Sequence, residues 1–182
     1  MSGHLLNRIQ PLLHTPELPA LGPGPRSHVQ SAATLRDAVR DLAQEIPLPE
    51  RLRQLILALV LLWHDRLEAA HQIVQEIPDA DGSFVHAMMH RREPDYWNSK
   101  YWWRRVGDHP VFVPLGERAA AELAESAPEL AVRLAPNNVW NPVAFVDECQ
   151  QLASCDPDDP AVEQARKLQA LEFNALLEHL VG

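Results

Sequence analysis

His86 and His90 stand four residues apart, and Glu93 follows three residues later. On an α-helix, residues at these separations share one face. Two imidazoles and a carboxylate would then converge, a ligand set suited to a divalent metal: zinc, or iron in a facial arrangement. The zincin pattern H-E-x-x-H is not met, because Ala87 occupies the place of its catalytic glutamate. A metal-dependent hydrolytic enzyme built on His86, His90 and Glu93 would therefore draw its general base from Asp65 or Asp95. The same histidines also suit a structural role, hydrogen-bonded to backbone or carboxylates between packed helices.

Arg91, Arg92, Arg104 and Arg105 form a second set, with Lys100 and His109 adding positive charge nearby. Guanidinium groups hold carboxylate or phosphate in a two-point geometry and stack on aromatic faces. The segment from Gly82 to Pro110 carries three of the five tryptophans and both tyrosines. A pocket made of His64, His71, His86, His90, Arg91, Arg92, Tyr101, Arg104 and Arg105 would bind a small anionic ligand or a peptide. The structural alternative pairs the arginines with Glu93, Asp95 and Asp108 in a salt-bridge network. A third alternative is partner contact, with a homo-oligomer burying the tryptophan cluster. The sequence contains no G-x-S-x-G, no P-loop and no G-x-G-x-x-G. Cys149 lies beside Glu148 without a basic neighbour in sequence, which argues against a nucleophile.

These residues need helices to position them. Leu35, Val39, Leu42 and Ile46 recur at helical spacing, which predicts a helix over 31–45 that Pro47 ends. Pro49 suits the start of a second, 50–63, apolar around much of its circumference and hence central. Asp65 with Glu68 resembles a capping box for a helix over 66–77. Residues 78–82 read as a turn, followed by a helix over 83–93 that Pro94 stops. Asp95 caps the next, 96–106, and Gly107 closes it with a left-handed residue. Further helices are expected over 116–126, 129–134, 142–153 and 161–180. The Pro/Gly-rich residues 15–25 cannot be helical. The expected architecture is all-α: antiparallel helical hairpins packed as one bundle or a short repeat-like array. Residues 31–182 form the single domain. Residues 1–30 form an extended arm, packed on the domain or flexible, with a short helix over 5–9.

Two resemblances accompany this pattern. Residues 62–71 laid against 92–101 each show a helix end, an aspartate and then a small residue, Ala69 or Ser99. That resembles the helical hairpin of tetratricopeptide repeats, although the spacing is shorter than the roughly 34-residue standard. The string His90-Arg91-Arg92-Glu93-Pro94-Asp95-Tyr96-Trp97-Asn98-Ser99-Lys100-Tyr101-Trp102-Trp103-Arg104-Arg105-Val106-Gly107, preceded by Trp63-His64-Asp65, resembles a mainly bacterial family without an assigned activity. That resemblance supplies no catalytic residue.

Bulk properties narrow the partners. A net charge of −9 argues against nucleic acid, whose phosphates need a basic footprint. The apolar run from Leu55 to Trp63 is far shorter than the roughly 20 residues of a membrane span. The N-terminal residues lack the pattern of a secretory signal. Cys149 and Cys155 make no CxxC motif and read as free thiols. The expected protein is cytoplasmic, with no membrane contact.

Overall fold

The computed structural model describes residues 2–182, and among these there is no strand. Ten helices follow one another: α1 (Ser2–Ile9), α2 (Ala32–Glu45), α3 (Glu50–Trp63), α4 (Leu67–Val74), α5 (Ala80–Arg92), α6 (Tyr96–Val106), α7 (Phe112–Leu123), α8 (Pro128–Leu134), α9 (Pro142–Leu152) and α10 (Pro160–Val181). Short 3-10 turns follow α1 and α8. The protein is all-α, as its periodicity predicts. No helix among the described residues is long and apolar enough to cross a membrane.

The helix starts follow local chemistry. Ser31, Asp95, Asn141 and Asp159 each accept a backbone N–H of the first turn through the side chain. Proline occupies the first turn of α8, α9 and α10, where its missing N–H leaves no bond unmade. Gly107 follows α6 at φ +65°.

Helices α3 and α5 form the inside of the domain. Every residue of α3 from Ala58 to Trp63 is buried, as is every residue of α5 from Gly82 to Arg92. Helix α6 packs antiparallel against α5. Ser99, the small residue at this contact, is fully buried and donates its hydroxyl to the Ala87 carbonyl at 2.7 Å. The long α10 closes the bundle with Leu168, Phe173 and Leu176.

Four local expectations are corrected. Helix α5 begins at Ala80, because the Asp79 carboxylate takes the Gly82 N–H at 3.0 Å and winds most of the expected 78–82 turn into the helix. Helix α7 begins at Phe112, four residues before the predicted start, with Leu115 already in the core. Asp65 does not cap α4; it sits at φ +61° with its carboxylate turned inward, and Arg66 takes the cap position. The N-terminal helix is longer than the expected 5–9: α1 starts at Ser2 and a 3-10 turn over Gln10–Leu13 follows it. Helix α1 and the following 3-10 turn bury Leu5, Ile9 and Leu13 in the main core.

Residues 14–31 carry no helix beyond the single flanking turns and are bound to the bundle by side chains reaching their carbonyls. Arg166 donates to Leu18 at 2.5 Å. Gln169 donates to Pro19 and Ala20, both at 3.1 Å. Arg92 donates to Ala20 at 3.0 Å and to Gly22 at 3.2 Å.

Gly116 marks the tightest crossing behind α7. A Cβ there would lie 2.4 Å from the Asn138 carbonyl oxygen and 2.6 Å from the Trp140 nitrogen, both backbone atoms. Gly116→Ala is expected to lower unfolding free energy by about 1–3 kcal/mol through overpacking. Urea denaturation measures this, and an unchanged midpoint would show that the crossing relaxes freely.

Candidate metal centre

Helices α4 and α5 bring three imidazoles together. His71 comes from α4; His86 and His90 come one turn apart on α5. One ring nitrogen from each lies within 4.8 Å of the others. His86 and His90 are buried, and His71 is half-buried. Tetrahedral zinc with nitrogens at 2.0–2.1 Å would need them ~3.4 Å apart, so binding requires a contraction of up to ~1.4 Å.

His86 lies at the centre of this group. Its ring stacks on the Trp102 indole with centroids 3.8 Å apart and planes 17° apart. The His90 ring stacks near it at 4.8 Å and 17°. Both of its nitrogens are buried, and neither has a hydrogen-bond partner. A neutral imidazole offers one donor and one acceptor, and leaving both unmet is unfavourable. Burial, reinforced by the neighbouring His90 and His71, pushes the His86 pKa down to about 3. The ring is therefore neutral at physiological pH, the state in which it coordinates metal.

His90 is oriented from outside. Its Nδ1 meets Glu93 Oε2 at 3.1 Å. A carboxylate on one nitrogen fixes the tautomer and raises the basicity of the other. The Asn98 amide nitrogen lies 3.1 Å from His90 Nε2 and would have to swing aside for a metal to bind there. Burial lowers the His90 pKa, while Glu93 and Asp95 oppose the shift. Both carboxylates would offset the charge of a bound cation.

A pH dependence follows. The His86 pKa falls from 6.5 to about 3 on folding, so between these values the unfolded chain binds the extra proton. Stability from this group is complete above pH 6.5 and is lost as pH falls toward 3. His86→Phe retains an aromatic ring against Trp102 and removes the titration. Its unfolding free energy is expected to fall less steeply with acidification than that of wild type. Parallel pH profiles from urea titrations would refute this.

The residues expected to share one pocket divide into several places. His71, His86 and His90 meet as described. Tyr101 and Arg105 stand outside them on the exposed face of α6: Tyr101 packs edge-on against Trp102 at 5.5 Å, and Arg105 lies 5.2 Å over the Trp102 ring. Arg104 is exposed. His64 is committed to the N-terminal segment, accepting the Gln30 N–H at Nδ1 (3.1 Å) and meeting the Leu12 carbonyl at Nε2 (2.9 Å).

Arg91 and Arg92 lie wholly inside the bundle, in two separate ion pairs, and line no common pocket with the histidines. Arg91 donates to Glu172 at 2.5 Å and to Gln169 at 3.3 Å, with its guanidinium 4.5 Å over Phe145. Trp140 Nε1 donates to the other Glu172 oxygen at 3.0 Å. Arg92 donates to Asp65 at 2.5 Å and to the Leu62 carbonyl at 2.5 Å. Asp65 also accepts the Arg26 backbone N–H at 2.8 Å and Nε–H at 2.9 Å. Burial opposes ionisation of Asp65, but Arg26 and Arg92 outweigh it and hold its carboxyl below the ordinary value. Arg92 bears more of the burial penalty, which lowers its pKa to about 10, still protonated at neutral pH. Both partners are thus charged.

Glu93 serves His90 as a hydrogen-bond partner and is absent from the three-nitrogen cluster. His71 takes the third place instead, supplied by the neighbouring helix. Its signal was its position in the hairpin partner of α5, which spacing within α5 does not reveal. Asn98, in the first turn of α6, also touches His90.

A second cluster joins α3, α5, α10 and the turn before α7. Asp81 Oδ1 accepts from His109 Nε2 at 3.1 Å and contacts His179 Nε2 at 3.3 Å, and its other oxygen pairs with Arg51 at 2.6 Å. His109 Nδ1 accepts the Val111 N–H at 3.3 Å. His109, then Arg51 and His179, draw the Asp81 pKa down to about 2 against the effect of burial. Here the ring nitrogens of His109 are both engaged, as a polar staple requires.

No family model, curated protein or solved structure matches this chain.

Proposed function

We propose that this protein binds a divalent transition metal, zinc foremost, through His71, His86 and His90. One observation carries the proposal: His86 is buried with both ring nitrogens unpartnered, inside a cluster of three imidazoles. Buried polar groups are nearly always hydrogen-bonded, and an ion is one of the few explanations for an orphan. Imidazole nitrogens suit zinc, copper, iron and nickel, while magnesium and calcium prefer oxygen. Glu93 would orient His90, and Trp102 would hold the His86 ring by stacking. Three protein ligands leave a fourth tetrahedral position for water or a ligand atom.

Calorimetric titration of chelator-stripped protein with zinc tests this. The expected result is one-to-one binding that weakens more than about a hundredfold in His86→Ala. Glu93→Gln is expected to weaken it about 10- to 100-fold, as for other partners of ligating histidines. No zinc uptake by the wild-type protein, or equal uptake by His86→Ala, would overturn the proposal.

A further inference from the structure

A cavity of about 410 Å³ lies between residues 17–26, the α5–α6 turn, the end of α9 and the start of α10. That volume is within the range of small-molecule sites. Its walls are apolar over most of their extent, with Leu21, Pro23, Leu152 and Val162 among the lining. Among its polar lining residues, Arg166 and Tyr96 retain hydrogen-bonding capacity.

Arg166 is only partly engaged. It donates through Nη2 to the Leu18 carbonyl at 2.5 Å, and Nη1 lies 3.5 Å from Glu163. A guanidinium has five N–H donors in a fixed fork, and the Arg166 Nε is buried without a partner. The Tyr96 hydroxyl makes no hydrogen bond among the described residues. Arg26 also borders the cavity, but its donors are taken by Asp65 and by Glu17, Trp63 and Thr15.

We infer that this cavity binds a small molecule bearing one carboxylate on an apolar body, of the kind represented by a medium-chain monocarboxylic acid. The carboxylate meets Arg166 in a charge-assisted contact and accepts from Tyr96. The chain lies between Leu21, Leu152 and Val162, where burial contributes about 0.8 kcal/mol per methylene. Glu163 already shares the Arg166 guanidinium at 3.5 Å, so the positive charge left over balances at most one ligand carboxylate, which disfavours a phosphate dianion. This site shares no residue with the histidine cluster.

Cys155 is the reporter. It borders the cavity and is exposed, whereas Cys149 is buried with its thiol pushed up to about 12 by that burial. Iodoacetamide therefore reads the Cys155 site. Octanoate is expected to slow its alkylation by the factor 1 + [L]/Kd, about elevenfold at ten times Kd. Octanol and octyl phosphate are expected to protect far less. Arg166→Met is expected to abolish the difference between octanoate and octanol. Since Arg166 also holds the Leu18 carbonyl, Leu152→Trp provides the independent variant: it fills the cavity, leaves the guanidinium intact and is expected to abolish protection. Alkylation unaffected by millimolar octanoate, equal protection by octanol, or protection persisting in Leu152→Trp would each overturn the inference.

Discussion

Asp65→Asn is expected to lower the unfolding free energy by about 3–5 kcal/mol, the range for removing one partner of a buried ion pair. The Asp65 side chain is wholly inaccessible and accepts from both Arg26 and Arg92. Arg92 is likewise inaccessible, and Arg26 nearly so. Asparagine preserves the shape and tolerates the φ of +61° at this position. Its defect is one of charge: one amide oxygen and an NH2 donor replace two acceptor oxygens, leaving two buried guanidinium groups undercompensated. Urea unfolding measures the loss, and a change below about 1 kcal/mol would show that water reaches the pair. Adding Arg92→Met is expected to recover part of the loss, because the second uncompensated cation is then gone. The same clamp ties residues 20–26 to the C-terminal end of α5, two residues from His90.

Saturating zinc is expected to raise the melting temperature of the chelator-stripped protein, and His86→Ala is expected to remove that shift. At free zinc a hundred times Kd, linkage gives about 2.7 kcal/mol. For a chain of this size that corresponds to roughly 5–11 °C. His86→Ala also deletes the ring stacked on Trp102, so the metal-free variant is less stable at neutral pH. The decisive quantity is thus each protein's own shift with and without zinc. Differential scanning calorimetry reads it. A zinc-induced shift that survives in His86→Ala would place the metal elsewhere, with the Asp81–His109–His179 cluster the next site to test.

The sequence reveals the helices far better than it reveals which polar groups they bury. Helices α3 and α6 have their predicted bounds because their apolar rows end at strong local signals: Pro49, Asp95 and Gly107. Asp65 reads locally as a cap because Glu68 imitates the capping pattern, whereas Arg66 holds that position. Its partners Arg26 and Arg92 lie 39 and 27 residues away, beyond any local rule. Arg91 and Arg92 fall in a charged run at a helix end, where arginine is ordinarily solvated. One signal for their burial was present: Glu172 lies four residues after Leu168 on the apolar stripe of α10. A carboxylate on such a stripe needs a buried cation, and Arg91 meets that need. The pairing of His86 with His90 follows from helical spacing. The contribution of His71 depends on the α4–α5 crossing, which spacing along one helix does not contain.

X-ray absorption at the zinc edge of protein loaded with one equivalent tests the central claim most directly. The expected spectrum shows a four-coordinate ion with about three imidazole nitrogens at 2.0–2.1 Å and the multiple-scattering pattern of the rings, reduced to about two in His86→Ala. A six-coordinate shell of oxygens, or a spectrum identical in the variant, would contradict it.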